Sequence, residues 1–173
     1  RLVALLTVDI LTVGESLVAR VRERVEQALG IPGDAILISA SHSHSTPTAH
    51  SLRQWGPVDE AYIRVLESTL VGVVKMAKDH LQPARLGYAG GWAENLSQNR
   101  RGIQDLRDRA VPVLRVDSED GKPLTVLFNF ACHPVCLHSY RNLISADYPG
   151  YARRVIRKIF GEDVVPMFTL GAA

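Results

Sequence analysis

The chain has 173 residues, 46% hydrophobic and 22% charged, with 13 Gly, 9 Pro and 2 Cys, a composition that excludes disordered, collagen-like and disulfide-scaffold classes. A chain of this size buries roughly 70% of the surface its unfolded form exposes, so one core is expected, whole or as part of a larger one, rather than two small domains. With 20 basic and 18 acidic side chains and a formal charge of +2, nothing points to nucleic acid or an anionic membrane surface, and no apolar run approaches the ~18 residues of a membrane span.

In chain order, Leu2 to Ile10 is an almost unbroken apolar stretch of strand length, which predicts a strand covered on both faces inside a sheet. From Glu15 to Leu29 apolar residues recur at helical spacing, and Gly30 and Pro32 stop the helix. Ala35 to Ser41 is a second buried strand; strand, helix, strand in this order predicts a right-handed crossover between parallel strands. Its carboxyl end leads into His42-Ser43-His44-Ser45-Thr46-Pro47, and ligands of open sheets gather beyond such ends.

A long helix is expected from about Asp59, its cap, to His80, with Pro83 beyond it. Ala84 to Trp92 reads as a strand and Glu94 to Arg109 as a loop. Val111 to Val116 and Leu124 to Ala131 flank the turn signal Asp117 to Lys122, which predicts an antiparallel hairpin. Asp147 precedes a helix running to about Phe160, and Val164 to Leu170 is a last strand. The fold class expected is therefore α/β, a mixed and mostly parallel sheet flanked by helices with an antiparallel hairpin, over residues 1–173 as a single partial catalytic domain. The chain opens inside an apolar run and stops just after another, so an excerpt of a larger domain is expected, with any leader upstream of Arg1.

The candidate chemistry lies at the strand ends. His42 and His44 are two apart, so strand alternation would turn both imidazoles into one pocket; the alternative is a polar loop whose hydroxyls satisfy the backbone. His133 also follows an apolar strand directly, and Pro134 keeps the sheet from continuing. Three His brought to one sheet edge make a nitrogen ligand set suited to zinc. His50 and His80 have weaker cases, His80 reading as a surface group near a helix end. Cys132, His133, Cys136 and His138 mimic a local cluster, which is discounted because a structural zinc takes a second ligand pair from a separate turn. The two Cys are expected to be reduced and packed.

Four stretches, Ser41-His42-Ser43-His44-Ser45-Thr46-Pro47, Asn99-Arg100-Arg101, Asn129-Phe130-Ala131-Cys132-His133-Pro134 and Ile144-Ser145-Ala146-Asp147-Tyr148-Pro149-Gly150, together resemble, in order, the amino-terminal catalytic domain of the neutral/alkaline ceramidase family. The resemblance covers essentially the whole chain but only the first part of the family's catalytic domain, which an immunoglobulin-like domain follows. It implies a zinc amidase that cleaves N-acylsphingosine to a fatty acid and sphingosine, with His42 and His133 as metal ligands and His44 beside them facing the scissile amide. Arg100 matches the Arg of the family's Asn-Arg-Ser motif, although Arg101 stands where the family has Ser. Asp147 is either a carboxylate orienting a ligand imidazole or a plain helix cap. The family's further ligands, a Glu and a Tyr, and its Ser nucleophile in a Gly-Asp turn would lie beyond Ala173.

This chemistry suits an unactivated amide, because zinc polarises the carbonyl and activates water while a neutral His44 moves a proton to the leaving nitrogen. The substrate expected is a small-molecule or lipid amide, ceramide or a smaller N-acyl amide. Membrane contact stays open, since no basic amphipathic helix is visible. An exported or extracellular location is implied by the family alone. The competing readings are an amidohydrolase-type metal hydrolase, disfavoured because the hairpin around Gly121 interrupts an eight-fold strand–helix repeat, and a metal-free binding domain of the same fold.

Overall fold

The computed structural model describes residues 1–51, 53, 56–103, 106–137 and 143–173. In chain order these form β1 (Ala4–Val8), α1 (Glu15–Leu29), β2 (Ile36–Ala40), α2 (Glu60–Asp79), β3 (Ala84–Trp92), β4 (Ala110–Ser118), β5 (Pro123–Phe130), α3 (Asp147–Phe160) and β6 (Val165–Leu170), with a short 3-10 turn, Gly33–Ala35, before β2. The class is mixed α/β, as the sequence predicts. The helix bounds match because their stop signals are local. Gly30 takes the left-handed conformation, φ 68°, and its N–H closes α1 on Glu26, a geometry that carries no Cβ penalty for glycine. Asp59 caps α2 by accepting the N–H groups of Ala61 and Tyr62 at 2.8 and 3.0 Å.

The strands differ from the expected single sheet. β1 and β2 pair in parallel as a two-stranded sheet, and β3-β4-β5-β6 form a second sheet. Within the second sheet β3–β4 and β4–β5 are antiparallel and β5–β6 is parallel, so antiparallel pairing is as frequent as parallel pairing rather than a minority. β1, expected to be covered on both faces, is half-buried except at Leu6. Composition alone does not separate a strand in a wide sheet from one in a narrow sheet, because both need an apolar run.

Each sheet has its own helices. α1 and α2 pack on the β1–β2 pair through Leu17, Val21, Val25, Ile63, Leu66, Leu70 and Val74, against Leu6, Ile10 and Ile36. α3 packs on the larger sheet through Tyr148, Ala152 and Ile156, against Phe128, Phe130 and Phe168. β6 also lies against β1 and β2, and the segments that leave β2 and β5 meet, with the rings of His42 and His133 4.9 Å apart. No helix among the described residues is long and apolar enough to cross a membrane.

The cap of α2 is a measurable part of this scaffold. Asp59→Ala removes both capping bonds and is expected to lower stability by about 1 kcal/mol, read as a reduced urea midpoint with an unchanged denaturant slope.

Candidate functional site

β2 ends at Ala40, and the segment after it leaves the extended conformation at once. His42 has φ 65°, a left-handed geometry that is uncommon outside glycine but enriched in His, Asn and Asp. Three bonds to the end of β1 and the turn after it hold it there. The Ser41 N–H donates to Val8 O at 2.9 Å and the His42 N–H to Ile10 O at 3.0 Å, while His42 Nδ1 lies 2.7 Å from Leu11 O. Because a carbonyl can only accept, Nδ1 is the donor, and the neutral ring so held has its lone pair on Nε2. His42 and His44 do meet, with ring centroids 5.1 Å apart, but through this turn rather than through strand alternation.

His133 arrives from the other sheet, three residues past β5. Its ring centroid is 4.9 Å from that of His42 and 6.0 Å from that of His44, and one potential ligand atom from each of the three residues lies within 4.8 Å of the others. His42 and His133 are half-buried and His44 is exposed. The His44 N–H donates to Pro134 O at 3.3 Å, joining the two loops directly. Burial, helped by the nearby His42 and Arg100, holds the His133 pKa below its ordinary 6.5, so its ring is neutral, with a lone pair available, at neutral pH.

The segment that opens α3 ties both loops together. Ser43 Oγ donates to Ser145 O at 2.7 Å, and the Ser145 N–H donates to Ser45 O at 2.8 Å. Tyr148 Oη donates to Cys132 O at 2.8 Å, one residue before His133. Asp147, only 1% exposed, accepts the Leu137 N–H at 2.8 Å and the Tyr148 N–H. It is the first helical residue, with φ 54°, so it is not a plain cap: its carboxylate grips the backbone of the loop that follows His133. Arg100 sits exposed in a turn that Asn99 organises through Arg101 N and Leu106 O, and its charge reaches the site through its effect on His133.

The remaining candidates stay apart. His80 donates from Nδ1 to Met76 O at the end of α2, the surface position expected for it, and His50 lies against Gly14. Burial, with Asp147 adding to it, pushes both the Cys132 and the Cys136 thiols up, which disfavours the thiolates a metal would need. Among the described residues the clustered ligands are the three His alone, and His138 lies outside those residues. Sequence reasoning missed Tyr148, Ser145 and the Leu11 carbonyl as parts of the site. A tyrosine within the last of the four motifs was a usable signal for the first; a main-chain acceptor leaves none.

Fold and site define a mixed α/β domain that gathers three imidazoles where two sheets meet. No protein-family model matches the chain. In sequence it is 25% identical to neutral ceramidase B of Dictyostelium discoideum across 68% of this chain, and 24% identical to neutral ceramidase of Drosophila melanogaster across 95% of it. In structure it superposes on neutral ceramidase from Pseudomonas aeruginosa with a TM-score of 0.88 and 22% identity, over 96% of this chain and 30% of that one. A ceramidase solved in complex with C2 superposes equally well, over 29% of its length. The chain spans 19% and 26% of the length of the two curated relatives. In sequence and in fold alike, the chain is similar to one part of a neutral ceramidase.

Two outcomes follow for the site. Tyr148→Phe leaves the Cys132 carbonyl without its donor and is expected to cost about 1–3 kcal/mol, read by urea unfolding. Because the folded pKa of His133 is held down, the unfolded chain binds a proton that the folded chain refuses below about pH 6.5. The resulting stability is present above that pH and is lost as pH falls through the folded value. Metal-free chain should therefore unfold at lower urea as pH drops from 7 to 5, and His133→Gln should flatten that slope.

Proposed function

We propose that this chain carries part of the catalytic centre of a zinc-dependent hydrolase of linear amide bonds, acting on an N-acylsphingosine or a smaller N-acyl amide. The observation that supports it most is the convergence of His42, His44 and His133 within 4.8 Å on a chain whose fold matches neutral ceramidase. The donor set fits zinc: imidazole nitrogens, one of them on a ring oriented by a backbone carbonyl. Bound there, zinc would polarise the amide carbonyl as a Lewis acid.

In this reading His42, through Nε2, and His133 hold the metal. His44, exposed beside them, faces the substrate and relays to the leaving nitrogen the proton given up by the attacking group, a role that suits an imidazole, which can both accept and donate a proton. Arg100 supplies fixed positive charge near His133, suited to the negative charge that gathers on the carbonyl oxygen. Asp147 acts through the backbone of the loop after His133, keeping that ring in register.

Elemental analysis of the purified protein should find about one zinc per chain, with His42→Ala or His133→Ala losing most of it. His44→Ala should keep the metal yet lower turnover of a short-chain fluorescent ceramide, or of simple N-acyl amides, by roughly 10²–10⁴-fold. Full activity in protein free of transition metal would end this reading, and parallel loss of metal and activity in His44→Ala would make His44 a third ligand.

A further inference from the structure

The turn that holds His42 is itself anchored from the far side of the seam. Asp9 follows the last residue of β1, two residues before Leu11, whose carbonyl receives His42 Nδ1–H. The Arg153 guanidinium, on the second turn of α3, is ion-paired with the Asp9 carboxylate; both side chains are largely buried, at 22% and 29% exposed. Arg153 is also bound to its own helix, donating from Nε to Pro149 O at 3.3 Å, so the guanidinium is oriented before it meets Asp9. The same helix begins with the residues that grip the loops of His44 and His133. α3 thus reaches the surroundings of all three imidazoles, and Arg153 is its arm toward His42.

We infer that Asp9 and Arg153 are a positioning pair: through the turn Asp9-Ile10-Leu11 they fix the Leu11 carbonyl against His42 and so hold His42 as the Nδ1–H tautomer with Nε2 directed to its neighbours. This rests on the metal-centre reading for its consequence, but not for its geometry. Ile10 and Leu11 are themselves buried, at 1% and 5% exposed, so the competing account is that apolar packing alone sets the turn and the ion pair only adds stability.

The two accounts separate on the state of the His42 ring in metal-free chain at a fixed pH of 8, read by long-range 1H–15N correlation of the imidazole nitrogens. The parent chain should show a single Nδ1–H tautomer. Asp9→Asn, which keeps the shape of the side chain, and Arg153→Met should both show a mixture with Nε2–H, and Arg153→Lys, which keeps the charge, should restore part of the parent signal. Titration with Co²⁺ should give an affinity about 10–100-fold weaker in the first two variants, the usual effect of losing an outer partner of a ligand. If Arg153→Met does not fold, Asp9→Asn decides alone. An unchanged Nδ1–H tautomer in a folded variant, with only the urea midpoint lowered, overturns the inference in favour of packing. A parent chain that binds no Co²⁺ would count against the metal-centre reading, and the tautomer comparison would still decide the role of the pair.

Discussion

The arrangement of the site depends on hydrogen bonds made by one short segment, Ser145 to Tyr148, at the start of α3. The His42–His44 loop belongs to the small parallel sheet and the His133 loop to the larger one, and the two sheets are covered by different helices around separate apolar clusters. Apolar packing fixes each cluster internally, but it is non-directional and does not place one loop against another to within an ångström. Directional bonds do that here: Ser145 engages Ser43 and Ser45, and Tyr148 engages the carbonyl just before His133. One buried carboxylate, that of Asp147, completes the grip.

These bonds lie in partly buried surroundings, where an unmade bond costs more than a made one contributes. The loops are therefore held in one geometry by the penalty of leaving it. The positive φ angles of His42 and Asp147 fit the same picture. Non-glycine residues in that region store strain, which persists where neighbouring contacts over-determine the backbone, and both residues are tied by several hydrogen bonds. β6 adds a further close approach. A Cβ at Gly171 would lie 2.9 Å from Asn129 Oδ1 and 3.0 Å from the Ala131 Cβ, so the backbone leaving β6 runs hard against the strand end that delivers His133.

Much of this could be read in the sequence, and the part that could not has a definite physical character. α1 was legible to the residue because helical periodicity ends at Gly30, and α2 because Asp59 has the side chain of a cap. The three His were legible as a group because each follows an apolar strand and none lies on a helix. The division into two sheets was not, since an apolar run of five to nine residues looks the same in either. Nor was the reason His42 meets His44, because strand alternation and a left-handed turn both bring residues two apart together. Main-chain acceptors, Leu11 O above all, carry no sequence signal. Asp147 was visible as a candidate, but its partner, a backbone N–H ten residues earlier, was not.

The central claim is that imidazoles from two separate sheets form one metal centre and that the neighbouring thiols of Cys132 and Cys136 take no part in it. X-ray absorption at the zinc edge of the metal-loaded protein tests this directly. The account predicts nitrogen scatterers at about 2.0–2.1 Å with the outer-shell pattern of at least two imidazole rings; a sulfur shell at about 2.3 Å, or a spectrum without imidazole scattering, would contradict it.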